Sequence, residues 1–261
     1  MSRIVSRLAA IAVFLIAQAG LVNAAEVKVF STIGVQAALQ ELAPKFEQAT
    51  GNKLNITWAT AAILVKRVQA GETADLMVLT KQSLDALTKD NKATAGTDAT
   101  FASSGMAVVV KKGAPKPDIS SPEAFKQALL NAKAIAYSDP AAGGASGVHF
   151  AKVLERLGIV DQMKGKTKHP PPSGNTANLV AAGEADLAVQ QEPEVMSVAG
   201  VEMVGPLPAD LNNITVYAAG VGAGSQHAEA ATALIRFLHS PEAQAVFKAK
   251  GLKPADAPKG T

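Results

Sequence analysis

The chain has 261 residues, 48% hydrophobic but only 4% aromatic, with 25 Lys and Arg against 22 Asp and Glu. A formal net charge of only +3, with no basic run interleaved with aromatics, argues against nucleic acid as a partner. Cysteine is absent, which excludes disulfides, a thiol nucleophile and a lipid-modified cysteine.

The N-terminus has the layout of an export signal. Arg3 and Arg7 form a positive start, residues 8–19 (LAAIAVFLIAQA) a short apolar run, and Val22-Asn23-Ala24 a small-residue cleavage site. Residues 1–24 are therefore expected to be a signal peptide, with Ala25 first in the mature chain. An uncleaved membrane anchor is the alternative, but the run is shorter than the ~20 residues a bilayer needs. With Arg3 and Arg7 removed, basic and acidic residues nearly balance. The mature protein is thus expected to be periplasmic, monomeric and without a membrane segment.

Residues 26–31 (EVKVFS) read as a buried strand and residues 32–34 as a turn. Val35, Ala38, Leu39, Leu42 and Phe46 then recur at helical spacing until Gly51. The pattern repeats: strand 54–58, turn 60–62, helix 63–70, strand 75–79, helix 82–90. A polar stretch, 91–100, reads as loop. The apolar run MAVVV (106–110) is a strand, 114–121 a connector, and Ser120 with Glu123 predicts a capping box for the next helix. Strand 134–138 leads into a glycine-containing loop and a helix carrying Phe150, Val153, Leu154 and Leu157, stopped by Gly158. Residues 170–173 read as a rigid turn, 174–182 as a helix, and 186–190 (DLAVQ), 201–204 and 214–221 as strands. An amphipathic segment, 229–250, closes the chain and restarts at Ser240-Pro241-Glu242. Such βαβ units build parallel sheets whose ligands sit where strands end and helices begin. Backbone N–H groups there suit a small anion.

Nearly all of the mature chain resembles the periplasmic molybdate-binding proteins. The matching segments are VKVFSTIGVQAALQELAPKFEQATG, QAGETADLMVLT, MAVVVKKGAP, SDPAAGGASGVHFAKVLERLG, GEADLAVQ and SPEAQAVFKAKGL. The resemblance implies a two-lobed α/β fold of the type II periplasmic binding protein kind. Each lobe would be a mixed sheet flanked by helices, with the ligand cleft between the lobes. Residues 25–104 and 222–261 are expected to form lobe I, and residues 105–221 lobe II.

Family members that bind molybdate hold it partly with a serine at each of the first two turns and a pocket tyrosine. Those positions correspond here to Gly34, Ala61 and Gln190. The departures remove oxyanion donors and predict an enlarged pocket, which fits an organic tricarboxylate. One branch that shares this exported, cysteine-free layout is the bacterial aconitate isomerases. That resemblance implies interconversion of cis- and trans-aconitate by an allylic proton shift, with no cofactor and no metal. The alternative is a receptor that delivers a small anion to an ABC permease.

Such a proton shift needs clamps for carboxylates, a base, and stabilisation of developing negative charge. Candidates for substrate binding are Thr32, Gly34, Thr60, Ala61, Ser146, Ser173, Asn175 and Gln190, with helix N-capping the competing role of the polar side chains. Candidates for the catalytic base are His149, whose ordinary pKa lies near neutrality, and Glu192, which burial would make more basic. A capping or surface histidine and a first-turn helix glutamate are their ordinary alternatives. Lys66 and Arg67 are expected either to steer the anion or to line a solvated helix face. The histidines, His149, His169, His227 and His239, lack metal-ligand spacing.

Overall fold

A computed structural model describes residues 24–171 and 174–255. The expected signal peptide lies outside these residues except for Ala24. Eleven strands form two mixed sheets among the described residues. The first sheet has the order β11-β4-β10-β3-β1-β2, built from β1 (Glu26–Thr32), β2 (Lys53–Ala59), β3 (Leu76–Thr80), β4 (Ala99–Ser104), β10 (Thr215–Val221) and β11 (Lys253–Pro254). The second has the order β7-β6-β8-β5-β9, built from β5 (Met106–Lys111), β6 (Ile135–Tyr137), β7 (Thr167–Lys168), β8 (Leu187–Gln191) and β9 (Val201–Pro206).

In the first sheet β1 runs parallel to β2 and β3, as the repeated βαβ pattern predicts, whereas β10 runs antiparallel to β3 and β4. Helix α1 (Gln36–Thr50) buries Ala38, Leu39, Leu42 and Phe46 on one face of this sheet. It shares that face with α9 (Ala228–Phe237) and α10 (Pro241–Ala249). Helices α2 (Ala61–Gln69) and α3 (Lys81–Lys89) cover the other face with Leu64, Val68, Leu84 and Leu87, against Phe30, Met77 and Leu79.

The second sheet shows how alternation assigns its two faces. Met106, Val108 and Val110 join one core with Phe125 of α4 (Pro122–Asn131) and Phe150 of α5 (Ala145–Leu157). Ala107 and Val109 join the other with Ala177 and Val180 of α7 (Ala177–Ala181) and Val195 of α8 (Glu192–Met196). A short α6 (Val160–Met163) follows Gly158, which caps α5 in the left-handed conformation.

Four expectations change. Strand β10, expected in lobe II, belongs to the first sheet, so the chain recrosses between Pro206 and Thr215. Both lobes offer apolar strands, and only the packing of Tyr217, Ala219 and Val221 into the first core decides. Strand β4 begins inside the expected loop, because ATFASS carries no clear alternation. The cap of α4 is Ser121, whose hydroxyl accepts from the Ala124 N–H (3.1 Å), and not Ser120. The helix expected over 174–182 is confined to α7.

Asp75 ties the first lobe together. It accepts from the Lys28 N–H (2.9 Å), the Ser225 hydroxyl (2.8 Å) and the N–H groups of Gln226 (2.9 Å) and His227 (3.1 Å), joining β1 to the start of α9. Burial opposes its charge, yet these donors outweigh that cost and hold the carboxyl below its usual range. Its stabilisation is therefore present above the unfolded pKa near 3.9 and is lost as pH falls through the lower folded value. Asp75→Ala is expected to cost about 3 kcal/mol at pH 7 and much less at pH 2. Urea melts at the two pH values check this; an equal loss at both would contradict it.

Candidate functional site

The two lobes meet over a cleft that encloses about 570 Å³ of non-atom space, its open mouth included. From the first lobe come Thr32 at the end of β1 with Ile33 and Gly34 after it, Thr60 and Ala61 after β2, and Thr80 at the end of β3. From the second come Ser138 and Asp139 after β6, Gly144, Ala145 and Ser146 at the start of α5, Gln191 at the end of β8 and Glu194 in the first turn of α8. Strand β10 adds Thr215 and Tyr217.

Helix starts converge here. The Thr60 and Thr80 hydroxyls cap α2 and α3, accepting from Ile63 (3.3 Å) and Ser83 (3.2 Å) N–H groups. The 3-10 turn Ile33–Val35 and helix α5 have no side-chain cap, so their first N–H groups remain available to an anion. Among the described residues no Lys or Arg lines the cleft; its ionisable carboxyls are those of Asp139 and Glu194. An anion would therefore be held by N–H and hydroxyl dipoles.

The expected site residues fall into three sets. Thr32, Gly34, Thr60, Ala61 and Ser146 line the cleft together. Thr60 is an N-cap, and its hydroxyl also donates across the cleft to the Ala142 carbonyl (3.2 Å). Asn175 lies in an adjoining groove, where it accepts from the Ala177 N–H (2.9 Å) and donates to the Glu194 carbonyl. Ser173 lies outside the described residues.

Gln190, His149 and Glu192 lie away from the cleft lining. Gln190 points to the opposite face of β8, and Gln191 lines the cleft in its place. A one-residue difference in a strand reverses the side chain. The His149 Nε2–H donates to the Leu211 carbonyl (2.8 Å), tying α5 to the 3-10 turn Ala209–Leu211. Glu192 points toward the turn at Gly251. Arg67 is held by Glu72 through two hydrogen bonds (2.6 and 2.7 Å) and packs over Phe30, while Lys66 is exposed on α2.

Glu194 is the residue that sequence reasoning missed. It is the third residue of α8, and its carboxylate folds back to the Gln191 N–H, as in a capping box. The first-turn glutamate spacing was the available signal, since a glutamate at the third helical position returns to the strand end and one at the first turns outward. Glu194 shows part of its surface to the cleft and is otherwise surrounded by protein. Burial pushes its pKa up to about 8, against the opposing hydrogen bonds from the Gln190 side chain and the Gln191 backbone.

Tyr217 corrects the expectation that Gly34 enlarges the pocket. A Cβ on Gly34 would lie 2.9 Å from the Tyr217 Cζ and closer still to its hydroxyl. The phenol occupies the place a side chain at residue 34 would need, and it supplies a hydroxyl there. Burial and then the neighbouring Glu194 raise its pKa. Its hydroxyl lies 3.3 Å from Ser104 Oγ, and the Ser104 hydroxyl donates to Gln191 Oε1 (2.6 Å). Having one proton, already given to Gln191, Ser104 accepts from Tyr217. The Gln191 amide in turn donates to Thr215 Oγ1 (2.8 Å).

Residues 27–253 match the family model for bacterial extracellular solute-binding proteins. The chain belongs to that family. This solute-binding protein is 36% identical over 235 residues to an aconitate isomerase from a Pseudomonas species, covering 88% of each chain. It is 25% identical over 240 residues to a molybdate-binding protein of Escherichia coli K12, covering 91% of this chain and 93% of that one. Its fold matches the periplasmic molybdate-binding protein of Azotobacter vinelandii with a TM-score of 0.71 at 21% identity, covering 87% of this chain and 98% of that one. Among the described residues, no cluster of His, Asp or Glu is placed to hold a metal ion, and no helix is long and apolar enough to cross a membrane.

The raised Glu194 pKa has a sign that can be checked. The folded state keeps this proton up to about pH 8, whereas the unfolded chain releases it near the ordinary value of 4.5. Stability therefore falls as pH rises across that window. Screening at the open cleft reduces the effect to about 2 kcal/mol. Glu194→Gln is expected to raise Tm relative to the parent by about 5 °C more at pH 9 than at pH 5. A Tm difference independent of pH in calorimetric scans would show that the carboxyl is not perturbed.

Proposed function

We propose that this protein is an exported, periplasmic and monomeric isomerase that interconverts cis- and trans-aconitate without a cofactor. The observation that carries the reading is Glu194, a carboxyl of near-neutral pKa in a cleft whose other lining residues, Asp139 apart, are uncharged. The 36% identity to an aconitate isomerase supports it.

In the proposed reaction the Glu194 carboxylate removes a proton from the methylene carbon of aconitate. The C–H electron pair moves toward the central carbon, and negative charge spreads onto the neighbouring carboxylate oxygens. The uncapped N–H groups at Ile33–Val35 and at the start of α5, with the Thr32, Ser146 and Tyr217 hydroxyls, would stabilise that charge. Protonated Glu194 then returns the proton to the former vinyl carbon. The double bond has moved one position, no electron is gained or lost, and the carboxylate is regenerated. A base whose pKa lies near the working pH suits both halves of this exchange.

The cleft itself supports a second reading, as two lobes around an anion site also suit a receptor that hands an organic carboxylate to an ABC permease. Ala61 brings no hydroxyl to the second turn of the cleft, which leaves a tetrahedral oxyanion one donor short and makes molybdate a poor fit to either reading. Calorimetry with molybdate is expected to show no sub-micromolar binding, and a tight stoichiometric signal would restore an oxyanion receptor.

The deciding experiment follows the vinyl and methylene protons of cis-aconitate by NMR in D₂O with purified mature protein. Glu194→Gln is expected to lower turnover about 10²–10⁴-fold while trans-aconitate still raises Tm. Binding of aconitate by the parent without exchange or isomerisation would leave only the receptor.

A further inference from the structure

Behind the cleft, Gln190 and Thr176 are fully buried. The Thr176 N–H and its hydroxyl both donate to Gln190 Oε1, at 2.8 and 2.9 Å. A backbone N–H can only donate, so the carbonyl end of the Gln190 amide is the end that faces Thr176. The amide nitrogen is thereby aimed the other way, where it donates to Glu194 Oε1 at 2.6 Å. Its remaining N–H approaches the Gly174 carbonyl at 3.5 Å. The orientation of the amide is over-determined, and it can give Glu194 only a donor.

We infer that Gln190 is a positioning residue: locked by Thr176, it commits one Glu194 oxygen as an acceptor and leaves the other to carry the exchangeable proton. This rests on the reading of Glu194 as the acid–base group. A carboxyl that turned freely would present either oxygen to a ligand, and the proton would reach the cleft only in some orientations. The donor also favours the carboxylate, so it moderates the effect of burial on the same group.

The Gln191 N–H is the backbone donor to Glu194, and the other charged group of the cleft is the Asp139 carboxyl, which accepts from the Ala141 N–H (2.9 Å). Strand β10 presents the Tyr217 phenol. The 3-10 turn and α1 present Ile33, Gly34, Gln36 and Ala37, and the adjoining groove Asn175 and Asn178, all uncharged. On α8 itself Glu192 turns toward Gly251. On α1, Glu41 pairs with Lys250 (2.9 Å). Strands β5 and β9 carry Lys111 and Glu202 at the end of the sheet opposite Gln191. Gln190 is therefore the side chain through which the carboxyl can be tuned without touching the cleft.

The test titrates the Glu194 carboxyl by ¹³C NMR in the full mature chain carrying labelled glutamate, alongside the pH–rate profile with cis-aconitate. Gln190→Met removes the donor, and the Glu194 midpoint is expected to rise by about one pH unit, a tenfold gain in proton affinity. The alkaline shift should appear equally in the rate profile. Gln190→Glu keeps the acceptor that Thr176 needs and so serves if the methionine variant does not fold. There two carboxyls share one proton, and the last proton of the pair should leave above the parent midpoint. An unmoved midpoint in the folded variant overturns the inference even if the enzyme is active. A shifted midpoint in a protein that fails to isomerise aconitate upholds the positioning of Glu194 and removes the isomerase reading instead.

Discussion

The cleft floor depends on a run of hydrogen bonds between buried side chains from three strands. Tyr217 of β10 donates to Ser104 of β4, Ser104 to Gln191 of β8, and the Gln191 amide to Thr215 of β10. Ser104, Thr215 and Tyr217 stand on the first sheet and Gln191 on the second, so the run crosses from one lobe to the other. In a buried setting each of these groups costs free energy if left unpaired, which makes the arrangement specific as well as stabilising. It holds the phenol against Gly34, where only a residue without a side chain leaves room. The close packing of the turn after β1 against Tyr217 and the shape of the cleft thus have one cause.

The electrostatics of the cleft follow from what surrounds it. Among the described residues its lining contains no cation, so the favourable field for an anion comes from helix starts, backbone N–H groups and hydroxyls. A carboxyl placed there has no ion pair to hold it ionised. Burial then dominates, and Glu194 keeps its proton into the neutral range. The contrast with Asp75 is instructive, because that carboxyl also pays for burial but meets four donors and stays charged. The number of donors aimed at each group decides the outcome.

Gln190 and Gln191 show how one strand serves two purposes. Alternation sends Leu187 and Val189 to one core and Ala188 to the other, and the two glutamines continue that alternation. Gln191 faces the cleft and the lobe junction. Gln190 faces α7 and α8, where Thr176 and Glu194 receive its two ends.

Much of the fold was legible in the sequence because its signals are local. The helical spacing of Val35 to Phe46, the stop at Gly51, the MAVVV run and the Ser240-Pro241 restart each depend on near neighbours along the chain. The cleft-facing turns at Thr32–Gly34, Thr60–Ala61 and Ser146 were legible for the same reason, since strands end and helices begin there. Two things were not. The ATFASS strand and the sheet membership of β10 depend on which strands pair across long separations. The acid–base candidate depended on orientation: His149 and Glu192 have the right chemistry, but their side chains turn to Leu211 and Gly251. The sequence by itself determined most of the elements, the family and the ring of helix starts suited to an anion, because those rest on spacing and composition. Only the tertiary structure decided that Tyr217 fills the place beside Gly34 and that Glu194 holds the proton, because a side chain's surroundings, and hence its pKa, are set by residues distant in the chain.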